Sequence, residues 1–250
     1  MLDGVRKLGW PAVELRLWQE WDEGDLAQVA RRVRDAGIVV NSVHVPPDSE
    51  VLLPMRGQPG NSGALADLME RSLAAALAAG ARVAVVHAWD LRLPTFSSET
   101  LVENLARFAA TFGGEGVSLS VENIPGHVRM FPLIAEACPE VSFTADTRWS
   151  AHECSWDLLL GLVQRITNIH VQTYIDPIEG GGVTLGRLDT CGPFNAQREV
   201  RRFVESGYAG LVTLEPNGVP SITETHLRQA LEMLQGWVSS PAAEPHEAAP

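Results

Sequence analysis

Apolar and polar positions follow two rhythms that take turns along this chain. Short runs in which every second residue or nearly every residue is apolar read as strands buried on one face or both. They are AVELRL from Ala12, IVVNSVHV from Ile38, RVAVVH from Arg82, VSLSVEN from Val117, VSFTAD from Val141, NIHVQ from Asn168 and LVTLEP from Leu211. Between them, apolar residues recur at three- and four-residue spacing over 25–36, 62–79, a segment opening at Ser97 or Ser98, 128–137, 156–163, 196–205 and 223–238, which predicts helices. Gly37 and Gly80 stand just past two of these, where a left-handed cap favours glycine. Leu2 to Leu8 reads as the end of one more helix ahead of the first strand.

Strand and helix alternating in this way predict repeated βα units on a parallel sheet, an α/β fold of the TIM-barrel type. The count is seven strands, and a closed eight-stranded barrel requires one more. Three arrangements satisfy the pattern: a first strand lies upstream, the barrel has seven strands, or it is open beside AVELRL. The chain of 250 residues, 45% hydrophobic, suits one domain over 1–238. Residues 239–250 are rich in Pro and Ala without periodicity and are expected to be disordered.

Charge narrows the partners. A formal net charge of -12, with no cluster of Lys and Arg to offset it locally, repels a phosphate backbone and argues against nucleic acid. Cys138, Cys154 and Cys191 form no CxxC pair and no even-numbered framework, and the N-terminus lacks a charged-then-apolar leader, so a reducing cytoplasm is expected. No apolar run reaches the length of a membrane span. Unpaired strand edges beside an absent first strand favour a homodimer.

Four of the strands run into residues able to hold a metal: Glu122, Asp146, His170 and Glu215. Parallel barrel strands deliver their C-terminal residues to one mouth, so these four converge there if the barrel forms. Carboxylates gathered at one point raise one another's pKa, and a bound dication relieves that repulsion. Oxygen ligation with one imidazole suits one divalent metal ion, Mn2+, Mg2+ or Co2+, with Zn2+ also compatible.

Further candidates each have two readings. His44 and His87 end neighbouring strands; they are either structural imidazoles satisfied by backbone carbonyls or groups that bind substrate hydroxyls, orient Glu122 or hold a second metal. Trp89 and Trp149 lie just past strand ends, where an indole packs under a loop or covers the C–H face of a sugar. Arg187 either pairs at the surface or neutralises a substrate phosphate or carboxylate. The segment from Tyr174 to Asp189 is long for a βα connection and rich in glycine, the composition of a lid loop, and carries no GxGxxG phosphate fingerprint.

HVP at His44, VVHAW at His87, VENIPG at Glu122, FTADT at Asp146, NIHVQ at His170, GRLD at Gly186 and LEPN at Glu215 come in an ordered series on successive strands. In this the chain resembles the sugar phosphate isomerase/epimerase branch of the xylose isomerase-like barrels, over nearly its whole length except the tail. The resemblance implies that Glu122, Asp146, His170 and Glu215 are the metal quartet and that Glu122 and Glu215 are also acid and base. A ketose or related sugar would chelate the metal through adjacent oxygens, which acidifies the intervening C–H and stabilises an enediolate. One glutamate removes the proton and the other returns it, giving epimerisation or aldose–ketose isomerisation. The same enediolate can expel a β-hydroxyl, as a dehydratase would, and a non-catalytic barrel that binds a sugar or polyol is the reading from another class.

The chain also departs from the family's pattern. Relatives commonly carry Asp-x-x-His after the strand that ends in Asp146, where this chain has Thr147, Arg148 and Trp149. Many carry an acidic residue after His170, where this chain has Val171, Gln172, Thr173 and Tyr174, and Gln172 is the expected substitute contact to substrate. The superfamily also contains the endonuclease IV group. Trp149 in place of a ligand, the lack of an Asp-x-His pair after His170 and the negative charge argue against that activity.

Overall fold

The structure, a computed structural model, describes residues 7–17, 23–47, 50–89, 97–153, 155–177, 183–187, 194–217 and 223–239. Strands β1 (Val13–Arg16), β2 (Val40–His44), β3 (Val83–Val86), β4 (Ser118–Glu122) and β5 (Ser142–Asp146) alternate with helices α1 (Glu23–Asp35), α2 (Ser62–Ala79), α3 (Ser98–Gly114) and α4 (Phe131–Ala137). Helices α5 (Thr147–Glu153) and α6 (Trp156–Leu160) lead to the long strand β6 (Ile166–Pro177). Strand β7 (Val183–Arg187), helix α7 (Ala196–Glu205), β8 (Leu211–Asn217) and α8 (Glu224–Ser239) complete the order.

Local chemistry sets the helix ends where the sequence places them. The Asn61 side chain accepts the N–H groups of Gly63 and Ala64 at the start of α2. At its end Gly80 adopts φ 74° and donates its N–H to Ala76 and Leu77, the left-handed cap that a Cβ disfavours. Ser97 and Asn195 cap α3 and α7 in the same manner, accepting from Thr100 and Arg198.

Strands β1 to β6 pair in parallel and in chain order, and β8 joins β6 in parallel. The segment expected to be a glycine-rich lid is partly a hairpin: β6 continues to Pro177 and β7 returns antiparallel to it, pairing Tyr174 with Arg187 and Pro177 with Val183. Residues Tyr174 to Pro177 and Val183 to Arg187 satisfy backbone groups on each other, which the glycines between them in sequence hide from a sequence pattern. Residues 178–182, 188 and 189 of that expected lid lie outside the described residues, as does 240–250 of the expected tail. Helix α5 was not anticipated either. It begins directly off β5, with the Asp146 carboxylate accepting the Trp149 N–H, so strand end and helix cap are one residue.

Among the described residues β1 pairs only with β2 and β8 only with β6, so the sheet is open between β1 and β8. The seven parallel strands thus form a nearly closed barrel with an opening beside AVELRL. A cavity of about 740 Å3 fills the opening, with Trp10, Val13 and Leu15 on one side and Val212, Leu214 and Leu234 on the other. The main core lies between sheet and helices, where Leu119, Val121, Phe143, Ala145, Ile169 and Val171 are buried. No described helix is long and apolar enough to cross a membrane.

Candidate functional site

Successive side chains of a strand point to opposite faces, so the apolar residues that enter the helix layer leave their neighbours inside the barrel. Those neighbours are polar. Ser118 bonds Ser142 at 2.8 Å, Ser120 bonds Thr144 at 2.7 Å, and the Thr213 hydroxyl donates to Asn168 Oδ1 at 2.9 Å. The interior is thus a column of small hydroxyl and amide groups, and the next inward position on each strand belongs to the mouth. On β4 that position is Glu122, on β5 Asp146, on β6 His170 and on β8 Glu215.

The four side chains meet. Glu122, Asp146 and His170 each offer a ligand atom within 4.8 Å of the others. His170 Nδ1 lies 3.4 Å from Glu122 Oε1 and 3.4 Å from Glu215 Oε1. Asp146 Oδ2 and His170 Nδ1 are buried and have no hydrogen-bond partner among the described residues. Two orphaned polar atoms inside a ring of carboxylates fit a divalent cation, which would satisfy both and offset the gathered negative charge.

The imidazoles surround Glu122. His87 Nε2 lies 2.8 Å and His44 Nε2 3.1 Å from its Oε2, while His44 Nδ1 faces the Val45 carbonyl at 2.9 Å. The structure therefore brings His44 and His87 to the site, clasping Glu122, and the three residues form a further cluster of convergent ligand atoms. Gln172 turns its amide toward Glu215 at 3.4 Å and lines the cavity beside it. Trp89 is 1% exposed, donates its indole N–H to the Ile124 carbonyl and packs edge-on to His127, so it braces the loop after β4. Trp149 is half-buried against the core, with the Arg148 guanidinium 5.0 Å over its ring. Arg187 ends β7 opposite Tyr174, and its side chain lies outside the described residues.

Sequence reasoning missed two groups. Glu14, the inward residue of β1, reaches His170 Nε2 at 3.2 Å and is only 8% exposed. Its signal was a carboxylate flanked by Val13 and Leu15 in a buried strand. Asn123 was visible only as part of VEN; it accepts the Asp146 N–H at 2.5 Å and donates to Ser150 Oγ at 2.8 Å, tying β4 to the start of α5.

Burial and mutual charge split the carboxylates. Burial pushes the Asp146 carboxyl well above its usual range, and Glu122 and Glu215 add to the shift. Glu215 is raised too, by burial first and then by Glu122 and Glu14 acting against His170. Glu122 goes the other way: burial opposes ionisation, but His87, His170 and His44 outweigh it and hold the carboxyl well below the usual value. His170 is raised well above an ordinary imidazole, because Glu14, Glu215 and Glu122 outweigh its burial. Burial lowers His87, while Glu122 raises His44 against the same opposition.

Residues 2–237 match the xylose isomerase-like TIM barrel family. The chain belongs to that family. This xylose isomerase-like barrel is similar in fold to a xylose isomerase domain protein from Planctomyces limnophilus, with a TM-score of 0.70 and 16% identity over 94% of this chain and 91% of that one. It is also similar to a D-psicose 3-epimerase studied in the presence of D-fructose, with a TM-score of 0.70 and 14% identity over 96% and 93% of the two chains. A third is a 3-keto-D-glucoside 4-epimerase from E. coli, with a TM-score of 0.68 and 16% identity over 94% and 92%. No curated protein sequence matches the chain.

Proposed function

We propose that this xylose isomerase-like barrel is a divalent-cation-dependent isomerase or epimerase of a small carbohydrate or sugar phosphate. The observation that carries the reading is the pair of orphaned buried atoms, Asp146 Oδ2 and His170 Nδ1, within the ring completed by Glu122 and Glu215. Similar folds that act on sugars, among them the 3- and 4-epimerases named above, support the choice of substrate class. Glu122, Asp146, His170 and Glu215 would hold the cation. When bound, it polarises adjacent carbonyl and hydroxyl oxygens of a sugar and acidifies the C–H between them.

The chain's own residues then divide the proton work. Glu215, raised above an ordinary carboxyl and with 27% of its side chain exposed, is suited both to take a proton and to give it back. Glu122, held ionised by His87, His170 and His44, has the charge state of a base on the opposite side but the lower proton affinity of the two glutamates, so Glu215 carries the larger share of the transfer. Gln172, beside Glu215, is suited to hydrogen-bond a substrate hydroxyl.

Metal analysis of purified protein, with add-back of Mn2+, Mg2+, Co2+ and Zn2+, and hydrogen–deuterium exchange at the C–H positions of ketoses in D2O test this reading. About one cation per chain, lost in a Glu122→Gln, Glu215→Gln double variant, together with exchange into at least one ketose, is expected. Failure to bind any of the four ions would sink it, and the non-catalytic sugar-binding barrel would take its place.

A further inference from the structure

The two ring nitrogens of His170 face different surroundings. Nδ1 looks to the mouth, toward Glu122 and Glu215 at 3.4 Å each. Nε2 looks down into the barrel, where Glu14 Oε2 lies at 3.2 Å. That same Glu14 oxygen accepts the Ser42 hydroxyl at 2.6 Å and the Asn168 amide at 3.2 Å. Thr213 donates to Asn168 Oδ1 at 2.9 Å, which turns the amide NH2 toward Glu14 and the imidazole. Asn168 Nδ2 is also 3.0 Å from His170 Nε2, but an amide NH2 and a ring N–H both donate, and the carboxylate is the acceptor they can share.

A carboxylate at mid-barrel is costly unless something depends on it, because interior layers of such barrels are ordinarily filled by branched apolar side chains. Here three strands contribute polar groups that share one carboxylate oxygen as their focus: Ser42 from β2, Asn168 from β6 with Thr213 of β8 behind it, and the imidazole itself. Packing alone would be met by a leucine.

We infer that Glu14 is a positioning residue for His170: it accepts the Nε2–H, fixes the ring's tautomer and rotation, and so presents the Nδ1 lone pair to a cation held by Glu122, Asp146 and Glu215. The inference rests on the cation-dependent reading of the mouth. Carboxylates that hold the remote N–H of a ligating histidine strengthen the ligand and orient it, and their loss costs about 10–100-fold in metal affinity. Glu14 also converges with His170 and Glu215 as a candidate ligand set; we place it behind the imidazole because its Oε2 faces Nε2, while Glu122 and Glu215 face Nδ1.

The test is Mn2+ affinity by titration calorimetry on the full chain, for wild type and for Glu14→Gln, Glu14→Ala and Asp146→Asn, each checked for folding by circular dichroism. Wild type binds one Mn2+; Glu14→Ala weakens it about 10–100-fold, Glu14→Gln, which keeps an acceptor of the same shape, weakens it less, and Asp146→Asn weakens it most. Nitrogen-15 histidine spectra of the Zn2+-loaded protein supply a signature that a merely structural role would not move. In wild type and Glu14→Gln the His170 Nε2–H is hydrogen-bonded, downfield and slow to exchange with solvent, and in Glu14→Ala it moves upfield and exchanges faster. Equal Mn2+ affinity in wild type and both Glu14 variants overturns the inference while leaving the metal site standing. Loss of binding in Glu14→Gln as complete as in Asp146→Asn overturns it differently, making Glu14 a ligand. Absence of binding in wild type removes the site and the inference together.

Discussion

Glu122 and Glu215 each set a carboxylate oxygen 3.4 Å from the same atom, His170 Nδ1, yet their surroundings are opposite. Glu122 is 2% exposed and clasped by two further imidazoles, whereas the Glu215 side chain is 27% exposed and has one amide beside it. The first is held well below the ordinary carboxyl range by its imidazoles and the second is raised above it by burial. Two chemically identical side chains thereby acquire different capacities.

Glu215→Gln is expected to lower deuterium exchange into a ketose substrate by about 10²–10⁴-fold, the range for loss of a general base, with the fold retained. Exchange at the wild-type rate in D2O, followed by proton NMR, would remove Glu215 from the mechanism.

Asp146→Asn removes the carboxyl that ionises least readily while keeping the oxygen that caps the Trp149 N–H. In chelator, at neutral pH, the variant is expected to be more stable than wild type, because burial first and then the Glu122 and Glu215 carboxylates disfavour the ionised group that it replaces. With Mn2+ present the order reverses, because the variant binds the ion weakly. Thermal melts with and without Mn2+ check both signs, and a variant less stable in chelator contradicts the repulsion argument.

The shifts also determine how stability in chelator depends on pH. His170 is raised in the folded state, so its contribution is complete below the ordinary imidazole value of about 6.5 and is lost as pH rises through the higher folded value. Asp146 and Glu215, raised as well, cost stability as pH climbs from about 4 toward their folded values. Glu14 and Glu122 act oppositely: their contributions are present above about 4 and fall away in acid, toward about 2 for Glu14. The Glu14 carboxyl is pushed up by burial but brought down by His170, His44 and Ser42. The melting temperature in chelator therefore peaks in the mildly acid range and declines toward alkaline pH, and saturating Mn2+ flattens the decline. A melting temperature that rises steadily from about pH 5 to 9 in chelator runs against this account.

Asn123→Ala is expected to destabilise the protein by about 1–3 kcal/mol, because the Asp146 N–H and the Ser150 hydroxyl both lose a buried partner. Chemical denaturation measures the loss, and stability equal to wild type would remove these two hydrogen bonds from the account.

Most of the scaffold was legible in the sequence because local physics specifies it. Helices α2 and α7 fall where apolar spacing and their capping residues place them, and the seven parallel strands follow the apolar runs. Glu122, Asp146, His170 and Glu215 were legible for a related reason: a residue at the C-terminal end of a parallel strand has its destination decided by topology. What the sequence could not decide depends on contacts between distant positions. The hairpin of β6 and β7 exists because two segments satisfy each other's backbone groups, and the opening beside β1 because β1 and β8 do not pair. Glu14 looked like any carboxylate in a strand until β1 was set across the barrel from β6. The different capacities of Glu122 and Glu215 likewise arise from burial and from neighbours 78 and 35 residues away along the chain, His44 and His87, which only the tertiary structure brings together.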